Sequence, residues 1–165
     1  MKPGLSFATI LTIAYFSLSA AAAADALPKE GRLEFNFCFA GTVQHSEISP
    51  QLAVGSFSSL AALHTTPPGG PFDLQGAHCI GTYTISAGRH WGSGYCIHVD
   101  SDGDKWLQKW EAGADFSGTW KAEGGSGKYA GMQASGAFKP IGSVAAAMPN
   151  SVQQCNRNSG TYKLK

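Results

Sequence analysis

Residues 33–39 (LEFNFCF) alternate strictly between apolar and polar positions: Leu33, Phe35, Phe37 and Phe39 share one face, and Glu34, Asn36 and Cys38 the other. Four apolar side chains at period two predict a strand with a single buried side. Further strands are predicted over 78–86, 94–100, 104–111, 115–121, 134–139 and 160–164, each bounded by Gly, Asp, Asn or Pro. The segment Gln51–Leu63 reads two ways, as a strand through Leu52, Val54 and Ser56 or as a short helix through Ser58–Leu63. Pro67-Pro68-Gly69-Gly70-Pro71 ends it, because proline lacks a ladder donor and glycine favours turns.

No amphipathic helix of useful length follows residue 26, which argues against a doubly wound α/β enzyme. The expected class is all-β, a closed antiparallel β barrel of about eight strands, since closure removes exposed strand edges. A β sandwich is the alternative. Glycines 81, 92, 94, 118, 127, 131 and 136 lie in or beside these strands, where each costs entropy and packs nothing. Three uses are open: sharp curvature, which is the favoured reading, close passage under an aromatic ring, and room for a ligand inside the barrel.

The N-terminus has a different pattern. Lys2 precedes the apolar run Leu5–Leu18, and Ala20–Ala26 is a small-residue stretch in which Ala24-Asp25-Ala26 fits an A-x-A cleavage site. Residues 1–26 are expected to be a signal peptide and 27–165 a single disulfide-containing domain, exported to the periplasm or secreted. The apolar run is too short for the ~20 residues that span a bilayer, and no other apolar run in the chain suggests a membrane span. Four cysteines in an exported chain predict two disulfides. Cys79 and Cys96 suit a hairpin turning at Ala87-Gly88, which leaves Cys38 to join Cys155. No C-x-x-C spacing supports zinc or redox chemistry. The formal net charge of +1, without a basic cluster, gives no footprint for nucleic acid.

Two motifs invite chemistry. Asp100-Ser101-Asp102-Gly103-Asp104 places three carboxylates at alternate positions, as calcium would require. Its glycine is fourth rather than sixth, however, so a hairpin turn with Gly103 at positive φ is expected instead. Gly124-Gly125-Ser126-Gly127-Lys128 lacks the spacing of a phosphate loop, and Tyr129 stands where a hydroxyl ligand to magnesium belongs. The histidines (45, 64, 78, 90 and 98) form no compact metal box. His98 with Asp100 is conceivable as part of a nucleophile system, but no G-x-S-x-G elbow accompanies it. Neither a metal nor an organic cofactor is expected.

The aromatics of the glycine-rich half suggest either an ordinary core or a cavity for an apolar small molecule. The expected pocket or rim residues are Trp91, Tyr95, Trp106 and Tyr129. Trp106 and Trp110 share a strand face, so one of them has a claim to lie outside the barrel.

GYCIHVDSDGDKWLQKW (94–110), GTW (118–120) and GGSGKYAGMQASGAF (124–138) resemble the small exported bacterial proteins related to the allene oxide cyclase-like barrels, the G-x-G-K-Y-x-G…G-x-F run being the most specific part. The resemblance spans roughly residues 78–139. It implies a closed antiparallel barrel with a central cavity. Plant allene oxide cyclases convert an unstable fatty-acid epoxide to a cyclopentenone in such a barrel, but none of their active-site residues maps onto a position here. Three functions follow as expectations. The first is binding of a small hydrophobic molecule in the cavity. The second is a cyclase or isomerase using an inward polar group such as Tyr83, His98 or Glu111. The third is an envelope structural or interaction module.

Overall fold

The computed structural model describes residues 28–165, so the expected leader at 1–26 lies outside the described residues. Eight antiparallel strands follow one another round a closed barrel. They are β1 (Glu30–Ser49), β2 (Leu52–Thr65), β3 (Gln75–Ser86), β4 (Arg89–Val99), β5 (Lys105–Ala112), β6 (Gly118–Gly125), β7 (Gln133–Ser143) and β8 (Ser151–Lys163). Each strand pairs with its chain neighbour, and β1 pairs with β8 to close the wall. The all-β barrel is therefore as the strand pattern predicts, and the sandwich is excluded.

The ambiguous segment is a strand. Ala53, Ser59, Leu63 and Thr65 of β2 are buried at period two, while Leu60, which a helix would have turned inward with Leu63, projects outward. Strands β1 and β8 run well beyond their predicted bounds. Their extra residues are mostly polar, with Val43 and Val152 among the few apolar ones, and they are held together by the ladder across Cys38↔Cys155 to Thr42↔Ser151 rather than by a buried stripe. Outside the barrel, β5 and β6 carry ion pairs between Lys109 and Glu111 (2.9 Å) and between Lys121 and Glu123 (2.8 Å).

Both expected disulfides are present, each joining residues directly opposite on adjacent strands. Cys79–Cys96 lies on the inner face of β3–β4, and Cys38–Cys155 lies on the outer face of β1–β8. The β3–β4 hairpin turns at Ala87-Gly88, both at positive φ, the conformation that matches strand twist in a two-residue turn.

One end of the barrel is filled. Phe72 enters from the β2–β3 loop and packs edge-on against Trp106 (6.1 Å) and Tyr162 (4.8 Å). Tyr129, from the short 3-10 turn Gly127–Tyr129, donates its hydroxyl proton to the Pro71 carbonyl (2.6 Å) and accepts from Gln75 Nε2 (2.7 Å). Gln75 Oε1 in turn accepts from Trp106 Nε1 (2.8 Å), so Gln75, Trp106 and Tyr129 satisfy one another's polar atoms. The β4–β5 turn is fastened to the same end. Lys128 Nζ lies 2.7 Å from both Asp100 Oδ2 and Asp102 Oδ2, and its backbone N–H donates to Asp104 Oδ2 (2.9 Å). Gly103 has φ 84°, as the turn reading requires. The glycine-rich segment thus supplies the ammonium that pairs with two of the three carboxylates of the aspartate turn.

Candidate functional site: an apolar cavity open at one end

The other half of the barrel is hollow. A cavity of about 460 Å³ opens toward the end bearing the β1–β2, β3–β4, β5–β6 and β7–β8 connections. Its wall is aromatic: Phe37, Phe39, Phe57 and Trp110 run along one side, with ring centroids 6.3, 6.4 and 5.7 Å apart in that order. Phe138, Val43, Ile85 and Val152 add to it, and Cys79–Cys96 forms part of the inner surface.

Glycines shape this space. Trp110 lies opposite Gly94, which lies opposite Gly81, so the indole crosses two neighbouring strands flat against the wall. A Cβ at Gly81 would stand 2.6 Å from Trp110, and one at Gly94 2.7 Å. The arrangement repeats in mirror order, where Trp120 pairs with Trp110 and lies over Gly136 and Gly160. Among the uses open to these glycines, close passage under a ring is the one seen at 81, 94 and 136. Gly118 is similarly overlain by Phe138.

The polar groups of the wall are neutral. On adjacent strands, Ser59, Cys79, Cys96 and Gln108 are register partners in a single row. Gln108 Oε1 is 2.9 Å from His98 Nε2, and Asn156, Asn158 and Gln154 face them from β8. Ser59 Oγ and Trp110 Nε1 are buried without a hydrogen-bond partner. Among the described residues, no Asp, Glu, Lys or Arg lines the cavity. The titratable side chains reaching it, His45, Tyr83 and His90, stand at its mouth. His45 Nδ1 is 2.8 Å from Tyr83 Oη and the two rings stack at 18°, while Glu47 Oε2 is 3.5 Å from His45 Nε2. Burial pushes the Tyr83 phenol up.

The four residues expected from sequence to form the pocket or rim are not among those lining it. Trp91 and Tyr95 occupy outward positions of β4, whose inward set is His90, Gly92, Gly94, Cys96 and His98, and both are exposed. Trp106 and Tyr129 are fully buried in the plug. Trp106 and Trp110 both point inward, so neither lies outside the barrel. Of the candidate polar groups, Glu111 is on the outer wall beside Lys109. His98 is completely buried, stacked on Trp106 at 4.0 Å and separate from Asp100, which Lys128 holds. Only Tyr83 reaches the cavity. Of the residues missed by sequence, Gln108 and Trp110 share strand parity with Trp106, and that parity is the signal that finds them. Phe57 and Ser59 lie on the face opposite the Leu52, Val54 and Ser56 set by which the strand was read, and Leu52 and Val54 are exposed.

The fold and site define an eight-stranded closed barrel, plugged at one end and hollow at the other. No family model matches the chain, and no curated protein matches it. Among solved structures, the pterocarpan synthase dirigent protein PsPTS1 is similar at 12% identity and a TM-score of 0.53, over 84% of this chain and 97% of that one. The pterocarpan synthase dirigent protein GePTS1 is similar at 12% identity and 0.51, over 92% and 100%. At such identity the likeness is one of fold: this chain shares the eight-stranded barrel of these two dirigent proteins.

Proposed function

We propose that the protein binds an uncharged, largely apolar small molecule, of aromatic or polycyclic shape, in the hollow half of the barrel. The observation that carries this reading is the 460 Å³ aromatic-walled cavity, whose lining among the described residues holds no Asp, Glu, Lys or Arg. Its size falls in the range of ordinary ligand sites, roughly 300–1,000 Å³. A buried carboxylate would meet no counter-charge there and would lose its hydration without compensation. A neutral oxygen, by contrast, meets the side-chain amides of Gln154 and Asn156 in the lining. Barrels of the same fold that bear the name synthase support a small-molecule role.

Export belongs to the same proposal, with residues 1–26 as the removed leader of an exported bacterial allene oxide cyclase-like barrel. The two disulfides are consistent with an oxidising compartment. Among the described residues no helix is long and apolar enough to cross a membrane.

The test is titration with 2-naphthol and 2-naphthoate, followed through tryptophan fluorescence. Saturable binding of the naphthol, with the naphthoate at least about tenfold weaker at neutral pH, is the expected result. Equal or tighter binding of the carboxylate would refute the neutral-ligand reading.

A further inference from the structure

We propose that the mouth of the cavity is an acid–base site, in which Tyr83 and His90 enolise a ketone on the bound ligand. This rests on the small-molecule reading above. The side chains that line the cavity sort by depth: the floor carries amides, a hydroxyl, a disulfide and rings, and among the described residues the titratable groups of the lining are at the mouth. Covalent catalysis has no thiol to use, because Cys79 and Cys96 are joined to each other. A phenol and two imidazoles remain, and these are proton donors and acceptors.

The Tyr83 ring is fixed in place. Gly55 lies beneath it, where a Cβ would collide with the phenol, and His45 stacks beside it. With the Nδ1–H tautomer of His45 donating to the Tyr83 oxygen, the phenol's own proton is free to face the cavity. His90 enters the same mouth from β4, packed on Phe116 at 4.6 Å, and its strand partner is Ile85, two residues from Tyr83. A ligand whose body fills the aromatic wall and whose ketone reaches the mouth meets both groups.

The step balances without an oxidant or reductant. His90 takes a proton from the carbon beside the carbonyl, and the C–H electron pair becomes the C=C bond of the enol. The carbonyl π pair moves to oxygen, which takes the Tyr83 proton, and the phenolate left behind accepts the His45 hydrogen bond. Reversal returns a proton to the carbon, so a ketone in heavy water exchanges its α-protons. His45 acts through Tyr83 and is a positioning residue.

The probe is 6-hydroxy-2-tetralone, and the measurement is its α-proton exchange in D₂O by NMR, with affinity read separately from tryptophan fluorescence. The wild-type protein is expected to accelerate exchange by about a hundredfold over buffer. Tyr83→Phe and His90→Gln should each lose about tenfold or more of that with affinity nearly unchanged. His45→Gln should lower the exchange rate at saturation by a larger factor than it changes the dissociation constant. Exchange at the buffer rate in the bound state, or undiminished in Tyr83→Phe, overturns the acid–base site and leaves ligand binding standing. If 2-naphthol binds and the ketone does not, the ligand class is wrong. If neither binds, both readings fall.

Discussion

The imidazole of His98 lies flat on the Trp106 indole, 10° from parallel, with no exposed surface. Burial holds its pKa down to about 4, only partly opposed by the Gln108 hydrogen bond. In the unfolded chain the same group titrates near 6.5. As pH falls from 6.5 toward 4, the unfolded state therefore binds a proton that the folded state refuses, and stability is lost across that window. Between pH 7 and pH 5 this one residue should cost about 2 kcal/mol. His98→Phe keeps the stacked ring and removes the titration, so its unfolding free energy should fall by about 2 kcal/mol less over that interval than the wild type's. Parallel pH profiles for the two proteins would show that His98 is not the cause. Sequence reasoning identified His98 as a polar residue of interest but could not tell a buried ring from a cavity wall. That distinction depends on whether Phe72 and Tyr129 plug the level at which His98 sits, and both come from connections between strands. The same limitation applies to Tyr129, whose local sequence predicts an aromatic rim and whose partners, Pro71 and Gln75, lie more than fifty residues away.

At the scale of a strand, the tryptophan-over-glycine rungs decide how much of the barrel stays empty. An indole lying flat across two strands occupies wall rather than lumen, and it can do so only where both strands lack a Cβ beneath it. Gly81→Ala should push Trp110 inward, because the new methyl would stand 2.6 Å from the indole, 2.8 Å from the Ser93 carbonyl and 2.9 Å from Phe57. The expected cost is about 1–3 kcal/mol in urea unfolding, together with weaker 2-naphthol binding. Gly76→Ala, on the same strand with nothing within 4 Å, is the control and should leave the binding unchanged. Equal effects at the two positions would mean that backbone entropy, not the seat of Trp110, explains the glycines. The strand pattern was legible where one face is apolar, as in β1 through Phe39, and faded where inward positions are Asn and Gln, as in β8. Binary patterning reports a dry core, and a strand that lines a polar part of a cavity does not produce it. The four pocket residues expected from sequence show the complementary difficulty. Aromatic content drew attention to Trp91 and Tyr95, whereas their parity, opposite to that of the inward Cys96 and His98, assigns them to the outer wall.

For the whole molecule, the question is where a closed sheet is weakest. The β1–β8 seam joins the two ends of the domain, and its pairing runs from Glu30↔Lys163 to Thr42↔Ser151, with Cys38–Cys155 bolted across its outer face. The β6–β7 seam pairs only from Gly118↔Phe138 to Lys121↔Ser135, and no disulfide crosses it. Beyond Lys121, β6 is held by β5 alone. Opening of the native barrel should therefore begin between β6 and β7, and amides of these strands should exchange with solvent before those of β1, β2 and β8. The disulfides act on a different quantity. Cys38–Cys155 spans 117 residues of sequence and Cys79–Cys96 spans 17. In the chain-entropy account they restrict the unfolded state by roughly 5 and 3 kcal/mol respectively. Replacing Cys38 and Cys155 together by Ala should lower global stability more than replacing Cys79 and Cys96, while leaving β6–β7 as the first seam to exchange. Hydrogen exchange read by mass spectrometry on the two double variants separates these effects. If the β1–β8 seam opens first even with its disulfide intact, hydrogen-bond pairing does not set the order of opening. If β6–β7 does open first, entry of a bulky ligand has a second route, since Phe138 and Trp120 stand at that seam and Phe138 already lines the cavity.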